Sequence, residues 1–192
     1  MAQAYANAMF SKAAKRLQEQ HGSRAAYERV AAMGPKGGAL GEFEREFIAG
    51  RDSFYLASVT EDGWPYMQHR GGPKGFLRVL DGKTLAFADF SGNKQFITAG
   101  NLATNNRVAL FLMDYPAQAR LKIIGHARVV EGDAELEAKV RVEGYKAKMD
   151  WVMVIEVAAF DWNCSQHITP RWTKEEIEAV LGEARATSQE RG

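Results

Sequence analysis

Between Phe54 and Phe160 the apolar residues fall mainly into short alternating or unbroken runs, the signature of strands; outside those limits they recur at helical spacing. Phe54 to Thr60 is β-branched and aromatic, and Glu61-Asp62-Gly63 supplies a turn before Trp64-Pro65. Tyr66 to Arg70 alternates, so Tyr66, Gln68 and Arg70 share one face while Met67 and His69 share the other. Gly75 to Leu80, an Asp81-Gly82 turn and Thr84 to Asp89 read as a hairpin. Ser91 to Gly100 reads as a loop entering a short helix, with Ser91 or Asn93 as its cap. Asn101 to Asn106 then leads into a strand from Arg107 to Met113, whose nearly unbroken apolar character predicts burial on both faces. Arg120 to Val130 is a long strand in which Gly125 predicts a bulge or bend, and Trp151 to Phe160 is another strong strand.

Helical spacing frames this block. Tyr5, Met9, Ala13 and Leu17 recur every four residues and predict a helix from Ala2 to Gln20 with one narrow apolar stripe. A second helical stretch, Arg24 to Met33, ends at Gly34-Pro35-Lys36-Gly37-Gly38, and this arm reads as a packing or dimer-contact appendage. Leu40, Phe43, Phe47 and Ile48 form the apolar face of a further helix that Gly50 can close. Asp133 to Lys148 has helical composition with Asp133 as its cap, and Thr173-Lys174-Glu175-Glu176 is a capping box opening a helix to about Arg185. The prediction is a mainly β chain with flanking helices: an arm over 1–39, a small antiparallel barrel over 40–172, and a C-terminal helix and tail over 173–192.

Composition narrows the function. At 192 residues the chain can bury a core without staples, and its single cysteine, Cys164, excludes an intrachain disulfide framework. A net charge of +1 and the lack of a basic tract argue against a nucleic-acid or acidic-membrane partner, but leave one small anion open. Lys12, Lys15 and Arg16 interrupt the N-terminal stretch, and no segment approaches the length of an apolar span, so a cytoplasmic protein is expected.

Two segments carry the candidate chemistry. Tyr66 to Gly72 and Asp89 to Phe96 each end a strand-like run in small or polar residues and a cation, where a backbone can turn its N–H groups toward an anion. Arg70 beside two glycines and Lys94 at a helix start together suit a phosphate monoester. Neither a Walker-type nor a dinucleotide-type glycine fingerprint is present. Cys164 and His167 have no second pair at metal-ligand spacing, so no metal is assigned, and no third group orients them as a nucleophile pair. His69 and His126 read as structural imidazoles, and Trp162 and Trp172 as aromatics able to cover a flat ligand or to fill a dimer core.

Taken in order, Asp52 to Val59, Asp62-Gly63-Trp64-Pro65, Gln68 to Phe76, Ala88 to Lys94 and Gly100-Asn101-Leu102 resemble the pyridoxamine 5'-phosphate oxidase-like family, in its general flavin-nucleotide-binding branch. The resemblance spans roughly Leu40 to Trp172 and implies an antiparallel, Greek-key type split β-barrel working as a homodimer, with FMN held at sites made by both subunits. It implies that Gln68, His69, Arg70 and Gly71 run along the flavin and that Asn93 and Lys94, followed by Gln95, hold its phosphate, with Asn93 replacing an arginine of the oxidases. It also implicates Asn101, places Arg120 where the oxidases carry an amide near the flavin ring, and carries the segment of Trp162, Asn163 and Cys164 to the partner's flavin. A cation at the ring would favour the anionic reduced flavin. The tryptophan and arginine pattern with which the oxidases close over pyridoxal phosphate has no convincing match here. The implied activity is FMN-dependent oxidoreduction between a nicotinamide donor and a small acceptor. The alternative is a flavin- or haem-binding protein without turnover, such as a carrier or stress-response protein.

Overall fold

The computed structural model describes residues 3–33, 38–162 and 165–189. Strand β1 (Ser53–Val59) buries Phe54, Leu56 and Ser58 on one face, and a turn at Gly63, whose φ of 85° suits a residue without a Cβ, returns the chain as β2 (Pro65–Gly71). The remaining strands are β3 (Arg78–Val79), β4 (Thr84–Phe90), β5 (Arg107–Asp114), β6 (Ala119–Val130) and β7 (Met149–Trp162). Among the described residues they form one seven-stranded antiparallel sheet in the order β2-β1-β5-β6-β7-β4-β3.

The sheet curls on itself. Three strands separate β1 from β4 in that order, yet the Phe54 and Phe87 rings meet edge-on at 5.2 Å and Phe54 stacks on Phe76 at 5.6 Å. Leu56, Leu85, Leu110, Leu121, Ile123 and Met153 fill the same core, each burial contributing about 1.5–3 kcal/mol. This is a split β-barrel: β2 and β3 are free edges, and the wall stays open between β2 and β4. Gly125 does mark a bulge, since the β6–β7 register slips between Ile124 and Gly125. A Cβ at Gly125 would run into the Glu156 carbonyl oxygen.

Several local expectations are corrected. The N-terminal helix is two helices, α1 (Gln3–Met9) and α2 (Lys12–Gln20), because Ser11 caps the second by accepting from the Ala14 N–H. Helix α3 (Arg24–Met33) follows, and α4 (Glu42–Ala49) ends at a Gly50 with φ −78°, so no left-handed cap is used. The β3 side of the expected hairpin shrinks to two residues. Burial on both faces belongs to β4 and β7, not to β5: Ala86, Ala88, Val152 and Val154 lie under Val140 of α6 (Ala134–Val140), while β5 alternates. Helix α6 is capped by Asp133 as expected but stops well short of Lys148. Thr173 and Glu176 do form the reciprocal capping box of the last helix, Lys174–Gln189.

Candidate functional site

The opening of the barrel wall is a cleft of about 230 Å³ between β2, the loop after β4, and the start of helix α5 (Ile97–Thr104). Alternation on β2 turns Tyr66, Gln68 and Arg70 inward and half-buries them, while Met67 and His69 face out. Gln68 is held by two hydroxyls: Tyr66 Oη donates to its Oε1 at 3.2 Å and Thr98 Oγ1 at 3.4 Å. Arg70 reaches across the split to Asp89 on β4, with Nε 3.2 Å from Oδ1 but poorly aligned for a hydrogen bond, and Nη2 donating to Oδ2 at 3.4 Å. Trp151 Nε1 donates to the same Oδ2 at 3.1 Å. An edge strand is thereby tied to a strand with which it shares no ladder.

The loop supplies the other wall. Lys94 and Phe96 both adopt left-handed φ, 59° and 52°, strained values for side chains with a Cβ. The Asn93 side-chain Oδ1 accepts the Gln95 N–H at 3.2 Å, and the Ser91 N–H donates to the Lys148 backbone carbonyl at 2.8 Å, which ties the loop to the residue just before β7. Phe96, not Ser91 or Asn93, is the residue preceding α5, and no side chain caps that helix. Its first N–H groups, next to Ile97, Thr98 and Ala99 at the cleft, therefore retain capacity for a ligand acceptor. Phe96 packs against Trp151 at 5.2 Å, an aromatic corner beside those donors.

The charges balance within the cleft. Arg70 and Lys94 face it, and so do Asp89 and Asp150. Burial pushes the Asp89 carboxyl above its ordinary 3.8; Arg70 and the Trp151 hydrogen bond oppose that shift, while Asp150 adds to it. Lys94 is exposed and makes no ion pair among the described residues, so its charge is available to a ligand.

Of the residues expected to bind cofactor, the fold gathers Gln68, Arg70, Asn93, Lys94 and Gln95 at this cleft. Of the two glycines after Arg70, Gly72 does not offer its N–H to the cleft: that N–H donates to the Asp52 carbonyl at 2.9 Å, and a Cβ there would strike the Phe76 ring. Gly71 sits at the end of β2 opposite Ser53, and His69 packs outward against Tyr55 at 5.7 Å. Asn101 lies on the buried face of α5, where its Nδ2 donates to Ser58 Oγ at 2.8 Å. Arg120 lies on β6 opposite Met113, away from the cleft. Trp162 is held by Glu44 at 2.8 Å and flanked by Phe43 and Phe47, inside its own chain. Asn163 and Cys164 lie outside the described residues. Asp89 and Phe96 bound the second candidate segment but receive no role of their own from the sequence, and Asp150 and Trp151 are not singled out by it; the one available signal for Asp89 is an acidic residue closing an otherwise apolar strand, which reads as an ordinary turn.

Comparison with known proteins agrees with this architecture. The family model described as pyridoxamine 5'-phosphate oxidase matches residues 40–164. The crystal structure of HupZ from group A Streptococcus is similar at 18% identity and a TM-score of 0.54, covering 69% of this chain and 99% of that one. A candidate pyridoxamine 5'-phosphate oxidase from Lactobacillus delbrueckii is similar at 21% identity and a TM-score of 0.50, covering 66% of this chain and 96% of that one. No curated protein matches the chain. Among the described residues no group of three or more His, Cys, Asp or Glu could hold a metal ion, and no helix is long and apolar enough to cross a membrane.

Proposed function

Because the chain belongs to the pyridoxamine 5'-phosphate oxidase family, we propose that it binds FMN and uses it to transfer reducing equivalents from a nicotinamide donor to a small acceptor. The observation that carries this reading is the convergence of Arg70, Lys94 and the uncapped start of α5 on one cleft. Two cations and free helix N–H groups are the donor set a phosphate monoester requires. The residues therefore fit the phosphate end of FMN.

Lys94 and the first N–H groups of α5 hold the phosphate, and Gln68, fixed by Tyr66 and Thr98, orients the ligand along β2. Phe96 and Trp151 present flat apolar surface beside it and exclude water. FMN, when bound, supplies the hydride chemistry itself, so the chain need not provide a strong general base. The cleft's 230 Å³ is below the roughly 300–1,000 Å³ of small-molecule pockets. A second copy of the chain would complete it, and the exposed Tyr55 and Met67 beside half-buried Phe111 on the outer face of β2-β1-β5 support a homodimer.

The test is flavin content and turnover. Purified protein, or protein incubated with FMN and desalted, should retain flavin absorbance, elute at twice the chain mass, and oxidise a nicotinamide donor faster than free FMN does. Failure to take up FMN removes the proposal. Uptake without turnover above free FMN leaves a flavin-binding protein and removes the oxidoreductase reading.

A further inference from the structure

Resting on the flavin reading above, we infer that Asp89 sets the charge of the ligand this cleft accepts: a phosphate monoester binds together with one proton, taken up by Asp89 as Arg70 exchanges its carboxylate partner for the ligand. The geometry that carries this is an anion site with an anion already built into it. Asp89 is almost fully covered, 9% exposed as a residue, and its two oxygens take the near side of the Arg70 guanidinium. A phosphate that engages Arg70 and Lys94 must sit beside that carboxylate, and like charges at such separations cannot both stay ionised cheaply where solvent is excluded.

The surroundings decide which charge yields. Arg70 is the charged group of β2 at the cleft, beside Tyr66 with its hydroxyl on Gln68; Asp150, next to Trp151 on β7, is a second carboxylate; Lys94 is the loop's cation; α5 carries no titratable side chain. Asp89 is already driven toward its neutral form, by burial first, with Asp150 adding to it against the opposing pull of Arg70 and the Trp151 hydrogen bond. The proton balance is simple. A proton from solvent joins one Asp89 oxygen, the carboxyl becomes neutral, the other oxygen still accepts from Trp151 Nε1, and the guanidinium keeps its charge and turns its N–H groups to phosphate oxygens.

Linkage gives the size of the effect. Between the pH at which Asp89 ionises in the free protein and the higher pH at which it ionises in the complex, affinity falls about tenfold per pH unit. The phosphate's own second ionisation, near pH 6, also titrates; the Asp89→Asn variant carries it unchanged and serves as the reference. FMN binding would be measured by calorimetry in buffers of different ionisation enthalpy, which counts protons taken up. Wild type should take up close to one proton more than Asp89→Asn, and above the window the variant should bind FMN at least about tenfold more tightly. Equal proton counts, or weaker binding by Asp89→Asn at every pH, would show that Asp89 only positions Arg70 and would overturn the inference while leaving flavin binding intact. Should that variant not fold, Trp151→Phe removes the donor that favours ionised Asp89 and must shift the window to higher pH; an unmoved window overturns the inference equally. Absence of FMN binding by every form at every pH sinks this inference together with the proposed function.

Discussion

The hydrogen bond from Asn101 Nδ2 to Ser58 Oγ, 2.8 Å long, joins the underside of α5 to the inner face of β1. Ser58 is 2% exposed and Asn101 7%, so neither group can turn to water if the other is lost. Ser58→Ala leaves the Asn101 amide with a buried unpaired donor and should destabilise by about 1–3 kcal/mol. Asn101→Ala strands the Ser58 hydroxyl and opens a small void, with a loss of the same order. The double substitution removes both polar groups together, so it should cost less than the sum of the singles, with a coupling of about 1 kcal/mol. Urea unfolding of all four proteins measures that cycle, and a 2 kcal/mol single should appear as a fall of about 4–8 °C in Tm for a chain of this size. The start of α5 faces the cleft while this bond secures the helix, so each single variant should also bind FMN more weakly. Strict additivity, or singles that each lose under about 0.5 kcal/mol, would refute the reasoning, because a buried bond with no alternative partner must show itself in both.

Other outcomes can be checked separately. Gly125→Ala should destabilise by about 1–3 kcal/mol in denaturant titration, since its Cβ meets backbone at Glu156 that a side-chain rotation cannot relieve. Glu44→Ala removes the acceptor of both the Trp162 indole and the Gly41 N–H, so it should shift tryptophan emission to the red and loosen the start of α4; unchanged emission would mean the indole is held by packing alone. Lys94→Ala should weaken FMN binding about fivefold, with a smaller effect at high salt because the side chain is exposed. Because the folded-state pKa of Asp89 is raised, the folded chain holds the extra proton, and stability contributed by this group falls as pH rises from about 3.8 through the folded value. The difference in unfolding free energy between wild type and Asp89→Asn, followed against pH, should carry that slope; a difference independent of pH would refute it.

Much of the fold was legible along the chain because it rests on local causes. The alternation at Tyr66 to Arg70, the Asp133 cap and the Thr173–Glu176 box all follow from side chains within a few residues of one another. The apolar content of Arg107 to Met113 misled because hydrophobicity does not say which strand another layer will cover; α6 lies over β4 and β7, and β5 keeps an open face. At the site, the two cradle segments and the cations Arg70 and Lys94 could be named from their local pattern.

What lies between those cations could not be read in this way. Asp89, Trp151 and Arg70 come from three strands, and Arg70 and Asp89 meet only because the sheet curls until two non-neighbouring strands face each other across its open side. Sequence spacing determines which way a side chain points from its own strand, since the pleat has a period of two. Curvature accumulated over seven strands determines what it meets, and through the Asp89 carboxylate it sets how much of the Arg70 charge a ligand can claim.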